Sequence, residues 1–325
     1  MSERSDSPLR VMYMGTPDFA VPALDALHGS PGVSIVCVVT RPDRPRGRGH
    51  KTVSTPVKAR AESLGLPVVQ PESLDQGGEW GAALDQARPD LIVVCAYGKI
   101  LPKDSLDFPR LGCVNIHASL LPGYRGSAPV HRAVEAGESE SGVTLMYMSE
   151  GMDEGDMIAS RSMPIAGMNS GEATEALAGL GAGLLLDELP AIAGETARRE
   201  PQNGDEATYA PPVRREEGHI DFTRTQEAVV RKVLAMTPSP GAYTFLGGDK
   251  IKVWEARVSG DAANAPAESG EPRPGRVVCT RGIITVDTGR GGAVEIVRLQ
   301  SPGGKPMGAA DWLRGHSIGA DAAFE

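Results

Sequence analysis

The sequence predicts an α/β domain with a largely parallel sheet, followed by a small β-barrel, and three observations predict it. Residues 10–165 repeat an apolar run followed by a helix-like stretch, the alternation of strand and crossover helix that builds parallel sheets. Beyond residue 215 the rhythm shortens to five brief alternating segments separated by Gly, Pro and Asp, as in a small barrel or sandwich. The 325 residues also exceed one ordinary domain. Boundaries are expected at 1–194 for the first domain, 195–214 for an ordered linker and 215–325 for the second domain.

In the first domain the strands are expected over Val11–Met14, Val33–Thr40, Val68–Gln70, Asp90–Ala96, Cys113–His117 and Val143–Met148. Thr55-Pro56 and Ser127-Ala-Pro129 carry the cap-then-proline signature of helix starts, the second helix running to about Gly137. Leu177, Leu180, Leu184, Leu185 and Leu189 make an apolar stripe that predicts a long helix from Ser170 to about Gly194. Glu195–Arg215 is charged and contains proline, which reads as linker. In the second domain a helix is expected over about Thr225–Met236. Strands follow at Ala242–Leu246, Ile251–Val258, Gly275–Cys279, Ile283–Asp287 and Ala293–Leu299, with a mobile loop over Gly260–Pro274.

Apolar runs at Val33–Val39 and Leu91–Tyr97 fall well short of the roughly 20 residues of a membrane span. The N-terminus lacks the apolar core of a secretion signal, so a cytoplasmic chain with no membrane partner is expected. Cys37, Cys95, Cys113 and Cys279 are widely spaced, which suits reduced thiols and not disulfides or a metal site. The net charge of -9 is uneven. Residues 1–209 hold 18 basic and 28 acidic side chains, whereas residues 210–325 hold 15 and 14. Within the acidic front, Arg41–Arg60 carries seven cations, Arg41, Arg44, Arg46, Arg48, Lys51, Lys58 and Arg60, against one acid, Asp43. This run is a local cationic patch, costly to assemble without an anion to bind. The even spread of charge elsewhere predicts a monomer.

The chemistry concentrates in Cys113-Val-Asn-Ile-His117. Strand side chains alternate faces, so Asn115 and His117 project together at the carboxyl end, where open α/β sheets bind ligands. Such a pair also serves as a plain loop cap. The later loop Ser149-Glu-Gly-Met-Asp-Glu-Gly-Asp156 offers four carboxylates, most of them an ordinary solvated turn. One acid reaching back to His117 would fix its tautomer and make it a competent proton donor near neutral pH. That set could serve acyl transfer with no nucleophilic Ser or Cys. Met14-Gly-Thr-Pro-Asp-Phe19 lacks the second and third glycines of a dinucleotide-binding turn, which removes the mechanical basis of a dehydrogenase.

Gly15-Thr-Pro-Asp-Phe19, Pro42-Asp-Arg-Pro45 with Gly47-Arg-Gly49, Ala96-Tyr-Gly98, Ile100-Leu-Pro102, Asn115-Ile-His117, Ser119-Leu-Leu-Pro122, Arg125-Gly126, Gly142-Val-Thr144 and Met152-Asp153-Glu-Gly-Asp156 occur in order from about residue 10 onward. Lys250-Ile-Lys-Val-Trp254 follows in the second domain. Together they resemble the methionyl-tRNA formyltransferase family. The resemblance implies a Rossmann-like formyltransferase domain followed by an oligonucleotide-binding-type (OB-like) barrel, and transfer of a formyl group from 10-formyltetrahydrofolate to initiator methionyl-tRNA in translation initiation. It implies Asn115, His117 and Asp153 as the catalytic trio. Ser119, Leu120, Leu121, Pro122 and the Tyr97, Gly98, Ile100, Leu101 segment would receive the tetrahydrofolate derivative. Arg44, Arg46, Arg48, Lys51, Lys250 and Lys252 would meet the tRNA, with no metal required. Ala118, Gly123, Glu255 and the C-terminal tail depart from the family pattern and put the details of tRNA contact in question. Two rival readings share parts of this pattern: a formyltransferase acting on a sugar-nucleotide amine, and a non-catalytic RNA-binding module.

Overall fold

The computed structural model describes residues 7–46, 51–260, 273–319 and 321–325. The chain divides into two compact units. The first comprises residues up to Pro129, Glu140–Pro164 and Thr174–Pro211; the second comprises Val130–Ser139, Ile165–Ala173 and Pro212–Glu325. Residues 195–211, read from sequence as linker, therefore pack within the first unit.

In chain order the first unit contains β1 (Leu9–Gly15), α1 (Val21–His28), β2 (Val33–Val39), β3 (Arg44–Arg46), β4 (Lys51–Val53), α2 (Pro56–Ser63) and β5 (Val68–Val69). These lead to α3 (Glu79–Ala87), β6 (Leu91–Cys95), α4 (Lys103–Leu106) and β7 (Cys113–His117); after α5 (Pro129–Ala136), which from Val130 on belongs to the second unit, the first unit resumes with β8 (Glu140–Tyr147), β9 (Met157–Pro164) and, from Thr174 on, α6 (Ser170–Ala193). Seven strands form one sheet in the order β5-β2-β1-β6-β7-β8-β9. The first five run parallel, while β8 pairs antiparallel with β7 and β9 with β8. Val11, Met12, Tyr13, Met14, Leu91, Ile92 and Val93 are fully buried, because helices cover both faces and the central strands read as continuous apolar runs. Trp80 of α3 fills the space beneath them, its indole N–H donating to Ser105 Oγ at 2.8 Å. At the start of α2, Thr55 accepts from Lys58 N and Pro56 follows, the predicted cap.

In this unit the expected strands match those observed to within a few residues, but the short strands β3 and β4 and the outer strand β9 were not expected, β9 being the longest of the three. Its residues are mostly exposed and give no apolar alternation. Helix α6 is long and apolar enough in composition to cross a membrane, but Leu177, Leu184, Leu185 and Leu189 are buried within the protein. Cys37, Cys95 and Cys113 are buried free thiols, and burial pushes them up to about 11, 12 and 12, respectively, so they stay protonated. Cys279 is free and exposed.

The second unit contains α7 (Gln226–Met236), β10 (Ala242–Leu246), β11 (Asp249–Val258), β12 (Val277–Thr280), β13 (Ile283–Asp287), β14 (Ala293–Gln300), β15 (Met307–Gly308) and α8 (Ala309–Gly315). The strands make an antiparallel sheet, β10-β11-β14-β13-β12, with β15 added to β14. Ile251, Val253, Ile284, Val286, Val294, Ile296 and Leu299 alternate inward and are buried, together with Trp312. The final residues join the two outermost strands. Glu325 exchanges two backbone hydrogen bonds with Phe245 of β10, Phe324 N donates to Gly275 O, and Val277 N of β12 donates to Ala322 O. The sheet thereby closes on itself as a small barrel. Most of the expected mobile loop, residues 261–272, lies outside the described residues.

An ion-pair cluster anchors α5 inside this unit. Arg132 donates to Glu217 (2.7 Å) and Glu135 (2.9 Å), and Lys232 also binds Glu135. The Arg132 guanidinium and the Arg214 N–H hold the Glu217 carboxyl down to about 2. A carboxyl with a depressed folded-state pKa stabilises fully above its unfolded value of roughly 4.3 and loses that contribution as pH falls towards the folded value. Glu217→Gln should therefore cost about 1 kcal/mol at pH 7. Melting temperatures of the two proteins, compared across pH, should converge as the pH approaches 2.

Candidate active site

β7 ends in Asn115 and His117, and their shared face looks onto the loop that follows β8. The loop is short of regular backbone pairing and is closed at its base by Tyr147 N donating to Asp156 O at 2.8 Å. Asp153, at its tip, adopts a left-handed φ of 53°. Its side chain is 17% exposed, whereas Glu150 and Glu154 are 69% and 52% exposed and serve as the solvated acids the composition predicts. Three groups, two from the end of β7 and one from the loop after it, converge on the Asp153 carboxylate. Asn115 Nδ2 donates to Oδ1 at 3.4 Å, His117 Nδ1 lies 3.6 Å from Oδ1, and Gly126 N donates to Oδ2 at 2.9 Å.

His117 is buried, and its other nitrogen, Nε2, lies 3.0 Å from Tyr124 O. A carbonyl oxygen only accepts, so Nε2 carries a proton in this pair, and only the doubly protonated ring also offers one to Asp153. Gly126 is held at φ +117°, where a Cβ would meet Ala210 O at 2.8 Å, so glycine alone brings this N–H onto the carboxylate.

The loop after β7 is fixed from within. Ser119 Oγ donates to Gly123 O at 2.6 Å. Thr144 Oγ1 donates to Ser119 O and accepts from Leu121 N. Ser119 and Leu121 are buried, so these two of the four residues expected to line a folate site build the loop itself; Leu120 and Pro122 are half-buried. In the segment expected to receive a pterin, Tyr97 and Leu101 are buried and Ile100 is 65% exposed. Tyr97 O accepts from Thr16, and Gly98 O from Arg41 Nη1 at 2.6 Å. Two open clefts of about 450 and 340 Å³ flank the Arg199 guanidinium, which lies 3.6 Å over the Tyr147 ring. The larger is lined by Arg125, Glu154 and Gln202 next to the Asp153 loop, and the smaller by Lys103, Leu106 and Glu150. Among the described residues no group of three or more His, Cys, Asp or Glu is placed to hold a metal ion.

The cationic stretch is a two-stranded ribbon in which β3 pairs with β4 and Arg46 stands opposite Lys51. Its base is an internal network. Lys58 Nζ donates to Asp43 (2.6 Å) and Gln70 (2.7 Å), while Gln70 Nε2 donates to Arg41 O and Asp43. Lys58 holds the Asp43 carboxyl below its ordinary value. Lys58 and Arg60, the latter paired with Asp25, are thus engaged within the fold, and Arg44 is exposed. Arg48 lies outside the described residues. In the second unit, Lys250 Nζ sits 3.3 Å over the Tyr243 ring and Lys252 Nζ 5.9 Å from the Trp254 ring.

The formyl transferase family covers residues 9–179, and its C-terminal domain covers residues 212–317. The chain is 43% identical over 309 residues to the methionyl-tRNA formyltransferase of Pelotomaculum thermopropionicum, spanning 94% of this chain and 96% of that protein. It is 46% identical over 311 residues to the methionyl-tRNA formyltransferase of Halorhodospira halophila, spanning 95% and 97%. The chain belongs to the methionyl-tRNA formyltransferase family. The same fold recurs in HypX from Aquifex aeolicus, solved with tetrahydrofolic acid. That structure is 19% identical with a TM-score of 0.62, covering 94% of this chain and 47% of its own length.

In this member of the family, sequence patterning missed the residues that support Asp153 from behind. Arg125 pairs through its backbone with Thr208 and Ala210, Tyr124 N donates to Thr208 Oγ1 at 2.8 Å, and Gln202 contacts the loop directly. All three partners come from the charged stretch after α6, where no periodicity marks a buried residue.

Proposed function

We propose that this protein transfers a formyl group from 10-formyltetrahydrofolate to the α-amine of initiator methionyl-tRNA in the cytoplasm, with Asn115, His117 and Asp153 performing the step. The convergence of an amide, an imidazole and a carboxylate at the carboxyl end of β7 carries this reading. The names of the relatives, and the tetrahydrofolic acid bound by HypX, support the choice of substrates.

In this mechanism the amine nitrogen attacks the formyl carbon, and negative charge gathers on the formyl oxygen. The bond from that carbon to N10 then breaks, and the proton released by the amine ends on N10, leaving tetrahydrofolate and formylmethionyl-tRNA. Asn115 keeps a second amide hydrogen for the oxyanion. His117 offers its Nε2 proton when the formyl oxygen takes the place of Tyr124 O. A preorganised donor of this kind is worth about 3 kcal/mol of barrier. Asp153 holds the imidazolium and assists proton movement through water.

The second unit and the ribbon serve the tRNA. Arg44, Arg46, Arg48, Lys51, Lys250 and Lys252 supply phosphate contacts despite the net charge of -9. Arg44→Ala combined with Lys250→Ala should weaken tRNA binding and reduce the slope of log KM against log salt by up to about 2, leaving the folate KM unchanged. Kinetics at three salt concentrations check this.

The deciding assay incubates the protein with 10-formyltetrahydrofolate and one of three acceptors: initiator methionyl-tRNA, free methionine or a sugar-nucleotide amine. Rapid tetrahydrofolate release is expected with the tRNA alone. Comparable turnover with the sugar nucleotide would overturn the proposed acceptor, and no release with any acceptor would favour a non-catalytic RNA-binding module.

A further inference from the structure

The residue best placed to control Asp153 without touching substrate lies 49 positions further along the chain. Gln202 Nε2 donates to Asp153 O at 2.9 Å and to Gly155 O at 2.9 Å, so one amide group brackets the loop on both sides of Glu154. Its Oε1 accepts from Arg125 Nε at 3.0 Å and from Nη2 at 2.7 Å. The Arg125 side chain is only 7% exposed. Its backbone is anchored by Arg125 N donating to Thr208 O (2.8 Å) and Ala210 N donating to Arg125 O (2.7 Å). The next residue, Gly126, donates to the Asp153 carboxylate. These contacts form a closed circuit from Asp153 through Gly126 and Arg125 to Gln202 and back to the Asp153 carbonyl. The register of Gln202 is set two residues earlier, where Glu200 and Met157 exchange backbone hydrogen bonds of 2.8 and 2.9 Å.

We propose that Gln202 is a positioning residue for formyl transfer, clamping the Asp153 loop so that the carboxylate faces Asn115 and His117. The inference rests on the function proposed above. The chemistry requires an amide at this position. The acceptor half satisfies a buried guanidinium, and the donor half satisfies two carbonyls of a loop that has little regular structure of its own. A glutamate of the same size keeps the Arg125 contact but cannot donate to either carbonyl. It would instead set a negative charge against both oxygens, pushing the loop away from β7.

The test uses the full chain with Gln202→Glu, Gln202→Ala and, in parallel, His117→Ala. Each variant is measured for kcat, for KM of both substrates, for melting temperature and for the imidazole ¹⁵N shifts of His117. Both Gln202 variants should lower kcat about tenfold, with each KM within threefold, since ångström-scale misplacement of a reacting group is costly in rate. The His117 ring shifts should move as its carboxylate partner is displaced, a signature that general destabilisation would not produce. Should Gln202→Ala fail to fold, the isosteric Gln202→Glu decides alone. Wild-type kcat and unmoved His117 shifts in a folded Gln202 variant, with His117→Ala inactive, would overturn this proposal and spare the proposed function. An active His117→Ala would overturn the proposed function itself.

Discussion

Asn115→Ala and His117→Ala are each expected to lower kcat/KM for formyl transfer by at least about 10²-fold with melting temperature little changed. Both side chains point at the Asp153 carboxylate from the end of β7, and neither belongs to the apolar core below it. Asn115 loses only a long 3.4 Å contact when truncated, so its main loss would be the hydrogen it offers the oxyanion. Truncating His117 removes both the proton facing Tyr124 O and the group that Asp153 is placed to hold. If the two groups act on one oxygen, the double variant should be less impaired than the product of the single effects, because residues acting as a unit are not additive. Steady-state kinetics with initiator methionyl-tRNA measure all three. Near-normal turnover in either single variant would remove that residue from the mechanism.

Gly155→Ala is the second large effect expected, and it acts through backbone sterics. A Cβ at this position would stand 1.9 Å from Tyr147 O, an atom of β8 that cannot retreat without unpairing the strand. The loop must move instead, by more than an ångström, and Asp153 moves with it. The expected result is a fall in kcat of about 10²-fold together with a loss of about 1–3 kcal/mol of stability. Gly179→Ala makes the matched control. It lies within α6, where a Cβ meets nothing within 4 Å, so activity should be unchanged and the helix slightly strengthened. Wild-type activity in Gly155→Ala would show that the loop tolerates displacement and that Asp153 needs no fixed position.

How much of this was legible in the sequence depended on whether a local repeat existed to read. The central strands β1, β6 and β7 announce themselves as apolar runs because both faces are covered, and the two-residue alternation of β7 already places Asn115 and His117 side by side. By contrast, β9 is an exposed outer strand with Ser160, Arg161 and Ser162 along it, and no apolar pattern separates it from a loop. Spacing alone could not choose among the four acids of the β8 loop. Burial and the Gly126 N–H single out Asp153, and both are properties of the folded chain. Composition likewise counts cations without showing which are already engaged, as the pairs Lys58 with Asp43 and Arg60 with Asp25 illustrate. Gln202 was hidden for a related reason: its partners in the Asp153 loop are backbone carbonyls, which every sequence supplies and no motif records.

The pairing of the last four residues with β10 and β12 bears on how the second unit behaves among its own copies. Two exposed rows of unsatisfied amides and carbonyls would otherwise be open templates for intermolecular strand addition, the usual route to fibrils and swapped dimers. Here Ala322–Glu325 occupy both rows at once, at a separation of some eighty positions from Phe245, so this protection arrives only after long-range contacts of the barrel have formed. A segment that departs from the family pattern thus acts as a guard against self-association.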